Sequence, residues 1–262
     1  MNTETRPLEA RDLEAAAALA GPRRAEMLAH LRWCLHTIYA HTFVHLAGGQ
    51  LRGWVSSLAF PGSATIRHLI TAGGPRDMMV EYELLRYQQA HHANNGCSTV
   101  VYMAPPRKVS FLSSAGFQDR EEYLLFQGGQ FIQATHEEVE LITPAHTLGL
   151  LHLDRQVSGQ DRAPLLLEHR FAAQAWVQDG KVEGFLLPTL GRGLVVANTP
   201  TVGLELQRWL LPHQHEVLVP ATNTAACEHL KERGYTGHPY GVRMEYGDPL
   251  AVDAQRLFGV GW

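Results

Sequence analysis

The chain has few cysteines, no long apolar run and no dominant charge, and each shortage removes a class of protein. Cys34, Cys97 and Cys227 are odd in number, far apart and form no Cys-x-x-Cys pair, so neither a disulfide framework nor a zinc ribbon is implied. A reducing compartment is expected. Met1 to Arg11 is polar and charged, without the basic stretch and apolar run of a signal peptide, and no apolar segment reaches the length of a membrane span. These features predict a cytoplasmic protein with no membrane partner. The formal net charge is only −4, so there is no global basic field and nucleic acid is not an expected partner. The Gly-x-Ser-x-Gly elbow and the phosphate-loop Gly-Lys-Ser/Thr are also missing.

What is present is a globular balance, 45% hydrophobic and 18% charged over 262 residues, enough for two domains of ordinary size. Internal similarity sets the architecture. Gly49-Gln-Leu-Arg-Gly53-Trp54 and Gly180-Lys-Val-Glu-Gly184-Phe185 share the pattern Gly-x-(Leu/Val)-x-Gly-aromatic, which reads as a hairpin with a glycine turn. Gly116-Phe117 and Gly234-Tyr235 each close an amphipathic helix, glycine supplying the left-handed stop. Between these anchors both halves read strand, loop, helix, strand, helix. In the first half the elements are 64–70, 71–76, 77–94, 98–103 and 107–115; in the second they are 194–197, 198–200, 201–211, 216–219 and 224–233. A further strand ends each half, at 122–126 and 241–246. Alternating strands and helices with an internal hairpin predict a layered α/β (α+β) chain with a mixed, mostly antiparallel sheet flanked by helices in each domain. The polar, turn-rich segment 127–136 is the best linker, giving domains at 1–132 and 133–262.

In this order, the elements resemble the GNAT (Gcn5-related N-acetyltransferase) fold. Arg6-Pro7-Leu8 through Asp12-Leu13 is similar to the family's opening, and Asn223-Thr-Ala-Ala226 followed by Gly234-Tyr235 resembles its Asn-x-x-Ala…Gly-Phe segment. Asp154 through Arg162, with Arg243-Met244, Phe258-Gly259 and the terminal Gly261-Trp262, resembles the C-terminal GNAT-like domain of YitH/HolE-type tandem proteins.

The resemblance implies acetyl-CoA as a co-substrate, no metal, and an acyl-CoA-dependent N-acyltransferase acting on an amine it does not identify. The alternatives are a non-catalytic acyl-CoA-binding or ligand-sensing protein, and a duplicated scaffold in which one repeat props the other, as in a homodimer. In such a fold a strand edge pairs with the pantetheine arm, and the following loop and helix N-terminus meet the pyrophosphate. Ile70, Thr71, Gly73, Gly74 and Arg76 are the first repeat's candidates for this, and Val196, Asn198 and Thr199 the second's. Met79 and Glu81 stand where the family pattern wants small residues. Leu112 and Leu230 stand where it commonly has a proton-donating tyrosine, so catalytic residues are not assigned.

Other chemistry-bearing residues read as structural. His41 and His45, four apart on an expected helix, lack a third metal ligand, and His91-His92 and His213-x-His215 read as surface histidines at helix ends. Asp154 and Arg162 are expected to pair, Asn223 to order its own loop, and Cys34 and Cys227 to pack in helices.

Overall fold

The computed structural model describes residues 3–74, 77–130 and 139–261. The chain forms two compact units, one of Met1–Tyr102 with Glu245–Asp248, the other of Met103–Met244 with Pro249–Trp262. Neither unit begins at the linker expected near residue 133, most of which lies outside the described residues.

The first unit contains β1 (Thr3–Pro7), α1 (Leu13–Ala18), α2 (Arg24–His36), β2 (Ala40–Ala47), β3 (Gln50–Phe60), β4 (Ser63–Thr71), α3 (Asp77–Asn94) and most of β5 (Thr99–Ala104). Its strands lie in the order β1-β2-β3-β4-β5, antiparallel up to β4, with β5 parallel to β4. The late segment Glu245–Asp248 runs beside β5, where Asp248 N–H donates to Ser98 O at 3.1 Å and Thr99 Oγ1 to Asp248 O at 2.6 Å.

Strand alternation sends Trp54 to one sheet face and Gly53 to the other. The Trp54 ring is buried against α1 and α2 among Leu8, Ala16, Ala17, Met27, Leu31 and Val44, and its indole N–H donates to Ala16 O at 2.9 Å. On the opposite face α3 lies so close that a Cβ at Gly53 would sit 2.9 Å from both Ile70 O and Val80 Cγ1. Gly53 is therefore a packing requirement.

The second unit begins with the end of β5 and continues through α4 (Val109–Ser114), β6 (Gln118–Gln127), β7 (Val139–Leu141), α5 (Thr147–Ser158), α6 (Ala163–His169), β8 (Gln174–Gln178) and β9 (Lys181–Leu187). After these come β10 (Leu194–Ala197), α7 (Pro200–Leu210), β11 (Glu216–Pro220), α8 (Thr224–Glu232), β12 (Thr236–Gly247) and β13 (Leu257–Gly259). One sheet has the order β13-β10-β9-β8-β7, and β12, β6 and β11 are neighbours in another. The order strand, two helices, three strands, helix, strand, helix, strand thus occurs twice, from β1 to β6 and from β7 to β12, and β13 is left over.

The repeated glycines hold equivalent places. Gly53 pairs with Thr71 and Gly184 with Ala197, and a Cβ on Gly184 would stand 2.6 Å from Val202 Cγ1 of α7, as one on Gly53 would meet Val80 of α3. Gly116 and Gly234 have positive φ of 90° and 77°, and in both turns the following aromatic N–H donates to the residue five before it, Phe117 to Leu112 O and Tyr235 to Leu230 O.

Asp154 and Arg162 are 1% and 5% exposed and joined by two bonds, Arg162 Nε to Asp154 Oδ2 at 3.0 Å and a second guanidinium N–H to Oδ1 at 2.5 Å. The pair ties α5 to the N-terminal end of α6. Removing one partner of such a pair strands a buried charge, at a cost of about 3–5 kcal/mol. Asp154→Ala should therefore move the urea-unfolding midpoint sharply down, and more than an exposed control such as Asp161→Ala; equal midpoints for the two would show that the pair is not structural.

Candidate functional site

The end of β4 differs from the rest of its sheet. Ser63 to Ile66 pair with Thr99 to Tyr102 of β5, and the register with β3 then slips, Ser57 facing Ile66 but Ser56 facing His68, so that Arg67 is bulged out. Among the described residues, 68–71 pair on one side only, with β3. Ile70 and Thr71 thus sit on a backbone edge whose outward groups are free of strand pairing. Gly73 and Gly74 follow with φ of 79° and 146°, conformations that favour glycine, and a Cβ at either would meet no atom within 4 Å. The chain then enters α3 at Asp77, whose N–H donates to Gly74 O at 3.2 Å. Arg76 lies outside the described residues. Glu81 is buried and engaged within the protein, whereas Met79 is exposed.

One residue past the bulge, the His68 ring meets the His30 ring of α2 edge to face, centroids 4.5 Å apart, with Trp54 5.9 Å away. His30 is held by Ser56 Oγ at 3.0 Å and Cys34 Sγ at 3.4 Å, but no hydrogen bond to His68 occurs among the described residues. Burial, reinforced at His30 by Arg67 and at His68 by His30 and Arg67, pushes the two imidazoles down to about 4 and about 3. Both are neutral at pH 7, and burial makes either ring a weak proton acceptor there. Sequence reading missed this pair. Alternation along β4 places His68 on the Trp54 face, but nothing local announces His30 opposite it.

The second repeat's candidates are brought to a different situation. Val196 of β10 pairs with Phe185 of β9 on one side and with Leu257 of β13 on the other. The Asn198 side chain donates to Glu183 Oε2 at 2.7 Å and accepts from Arg256. Thr199 caps α7, its hydroxyl accepting from Val202 N–H at 3.4 Å. The edge that is open at Ile70–Thr71 is filled at Val196–Ala197. Asn223 does more than order its loop: Oδ1 accepts from Ala226 N–H, and Nδ2 donates to Gln255 O at 3.1 Å and Leu257 O at 2.8 Å.

Three histidine expectations are corrected. His41 and His45 lie on strand β2, not a helix; His41 Nδ1 is 3.2 Å from His91 Nε2, and His45 Nδ1 is 2.8 Å from Thr5 Oγ1. Four residues span one turn of a helix but about 13 Å of a strand, and the apolar neighbours Phe43 and Val44 fit a strand buried on both faces. His92 is fully buried, bonded to Ser57 Oγ at 2.8 Å, because α3 presents it to the sheet. Among the described residues no group of three or more His, Cys, Asp or Glu is placed to hold a metal, and no helix is long and apolar enough to cross a membrane. The three cysteines are buried and reduced.

No family model matches the sequence, and no curated protein matches it either. Solved structures do. A provisionally assigned acetyltransferase from Pyrococcus horikoshii superposes with a TM-score of 0.81 at 17% identity, over 98% of this chain and 94% of that one. A GCN5-related N-acetyltransferase from Sphaerobacter thermophilus gives 0.64 at 13% identity over 96% and 98%. A tandem GNAT protein from the clavulanic acid biosynthesis pathway gives 0.56 at 15% identity over 95% and 99%. The chain therefore has the GNAT fold, Gcn5-related N-acetyltransferase, as its sequence motifs imply. It carries the fold's succession of elements twice, from β1 to β6 and again from β7 to β12.

The buried histidines set a pH dependence for the first unit. His30, His68 and His92 are held near 4, 3 and 3, mainly by burial, whereas an unfolded chain would protonate them near 6.5. The folded state binds fewer protons, so this stabilisation is fully present above about pH 6.5 and is lost as pH falls from there toward 4. Chemical denaturation at pH 7.5, 6.0 and 5.0 should give steadily lower midpoints, and a flat profile would contradict the burial of these rings.

Proposed function

We propose that the chain is an acyl-CoA-dependent N-acyltransferase, with acetyl-CoA as donor and an amine as acceptor, whose donor site is the end of β4 and the loop leading to α3. The observation that carries this reading is the one-sided pairing of 68–71 after the bulge at Arg67. A pantetheine arm carries amides along an extended chain and can pair with such an edge as an added strand would. Gly73 and Gly74 leave room for a pyrophosphate to approach the backbone, and the N-terminus of the 18-residue α3 presents free N–H groups and a positive dipole end. Arg76 supplies the cation in this reading. The buried Glu81 carboxylate is already engaged within the protein and Met79 faces solvent, which removes part of the objection those two raise.

In the reaction the amine nitrogen attacks the thioester carbonyl, the C–S bond breaks, and the coenzyme leaves as a thiolate that takes its proton from water. The proton lost by the nitrogen passes to water, because the buried His68 ring beside the bulge, held down to about 3, is too weak a base to take it near pH 7. Leu112 and Leu230 are fully buried and cannot donate to the thiolate, which favours this route over a tyrosine acid and keeps the non-catalytic binding protein as the second reading.

Calorimetric titration with acetyl-CoA, followed by a thiol-release assay over an amine panel, tests the proposal. Arg76→Ala should weaken acetyl-CoA binding about tenfold or more, since a charge-assisted phosphate contact is worth about 1.5–3 kcal/mol, while leaving the melting temperature nearly unchanged. Binding without thiol release from any amine would establish the ligand-binding reading instead, and no binding at millimolar acetyl-CoA would end both.

A further inference from the structure

The strand left over after two complete repeats, β13, has a partner for nearly every group it carries. It lies antiparallel to β10, Gly259 facing Val195 and Leu257 facing Val196, and Val260 N–H donates to Leu218 O of β11 at 2.8 Å. It therefore stands between β10 and β11, beside the residues that match the end of β4, where the first repeat's pairing of β4 with β5 has already stopped at Ile66. Side chains complete the seat. Gln207 Nε2 donates to Phe258 O at 2.7 Å, Asn223 Nδ2 to Leu257 O, and Gln255 Nε2 to Thr222 O at 2.6 Å. Leu257, Phe258 and Val260 are all buried.

The groove is shaped for this occupant. Gly203 sits inside α7, where glycine weakens a helix, and a Cβ there would stand 2.2 Å from the Phe258 ring. Gly191 likewise faces Gly261, with a Cβ 2.8 Å from its carbonyl oxygen. By the equivalence of Gly53 with Gly184, β10 residues 195–197 match β4 residues 69–71, so β13 covers the very edge assigned above to the donor in the first repeat. Arg256 closes the far end, its guanidinium reaching Ala197 O at 3.4 Å and the Asn198 side chain.

We infer that residues 254–261 are the permanent occupant of the second repeat's cleft, so that this repeat takes no acyl-CoA and the chain has one donor site. The identity of the excluded ligand rests on the function proposed above; the permanence of the occupant does not. A displaceable gate would be held by few contacts and would leave a usable site behind. Here Leu257, Phe258 and Val260 are all buried, and Pro200 at the start of α7 has no N–H to offer a ligand.

Calorimetry on the full chain should give one acetyl-CoA per chain, and two would overturn the inference. Hydrogen exchange read by mass spectrometry should show the amides of 257–260 protected, equally with and without saturating acetyl-CoA. Faster exchange there on adding ligand would mean that the strand is a gate and would overturn the inference. If acetyl-CoA does not bind, the functional reading fails by itself, and exchange in the free protein still decides: slow exchange at 257–260 upholds a permanent occupant and fast exchange refutes it. Phe258→Ala should lower the melting temperature without adding a second binding event; a second event would show that the ring alone was blocking a competent site.

Discussion

A strand edge is a row of backbone donors and acceptors that must find partners in protein, ligand or water, and the fourth strand of each repeat meets that demand differently. In the second repeat the edge of β10 is satisfied by β13, and the surrounding groove is cut with glycines to the shape of Phe258. In the first repeat the edge of β4 is paired with β5 only as far as Ile66, after which the bulge at Arg67 turns it outward. One edge is spent on stability, whereas the other stays available. The difference between the repeats follows from that allocation more than from any one side chain.

Much of the fold was legible because its signals are local. Glycine at a turn, glycine under a helix, and a Gly-aromatic helix stop each impose a short pattern, and two copies in the same order expose the duplication. The helix expected over 77–94, after the loop at 71–76, is the observed span of α3. The periodicity of β2 was misread because His41 and His45, four residues apart, fit a helical face as well as a strand, and the burial of both faces of β2 removes the polar alternation that would have decided it.

The site was legible only in part, for a physical reason of the same kind. Gly73 and Gly74 advertise an unusual backbone, so the loop could be chosen from sequence, and the structure puts Ile70 and Thr71 on the edge beside it. The meeting of His30 with His68 joins residues 38 apart on different elements, and the seating of β13 against β10 joins residues some 60 apart. Neither leaves a local mark. Phe258 is one aromatic among many until Gly203 is seen beneath it, and nothing local to Val196 or Asn198 announces that Leu257 pairs with the one and Arg256 bonds the other.

The segment Glu245–Asp248 has a consequence for biosynthesis. It belongs to the first unit, yet it emerges from the ribosome roughly 145 residues after Tyr102, the last of that unit's other residues. At translation speeds of about 5–20 residues per second, the nascent first unit waits about 7–30 s with the outer edge of β5 bare. Such an edge is a template for wrong pairing with another nascent chain on the same message. The order of synthesis thus runs against the order of assembly, and a chain of this design benefits from slow collision with its neighbours, from a chaperone that covers sheet edges, or from brisk translation of its second half.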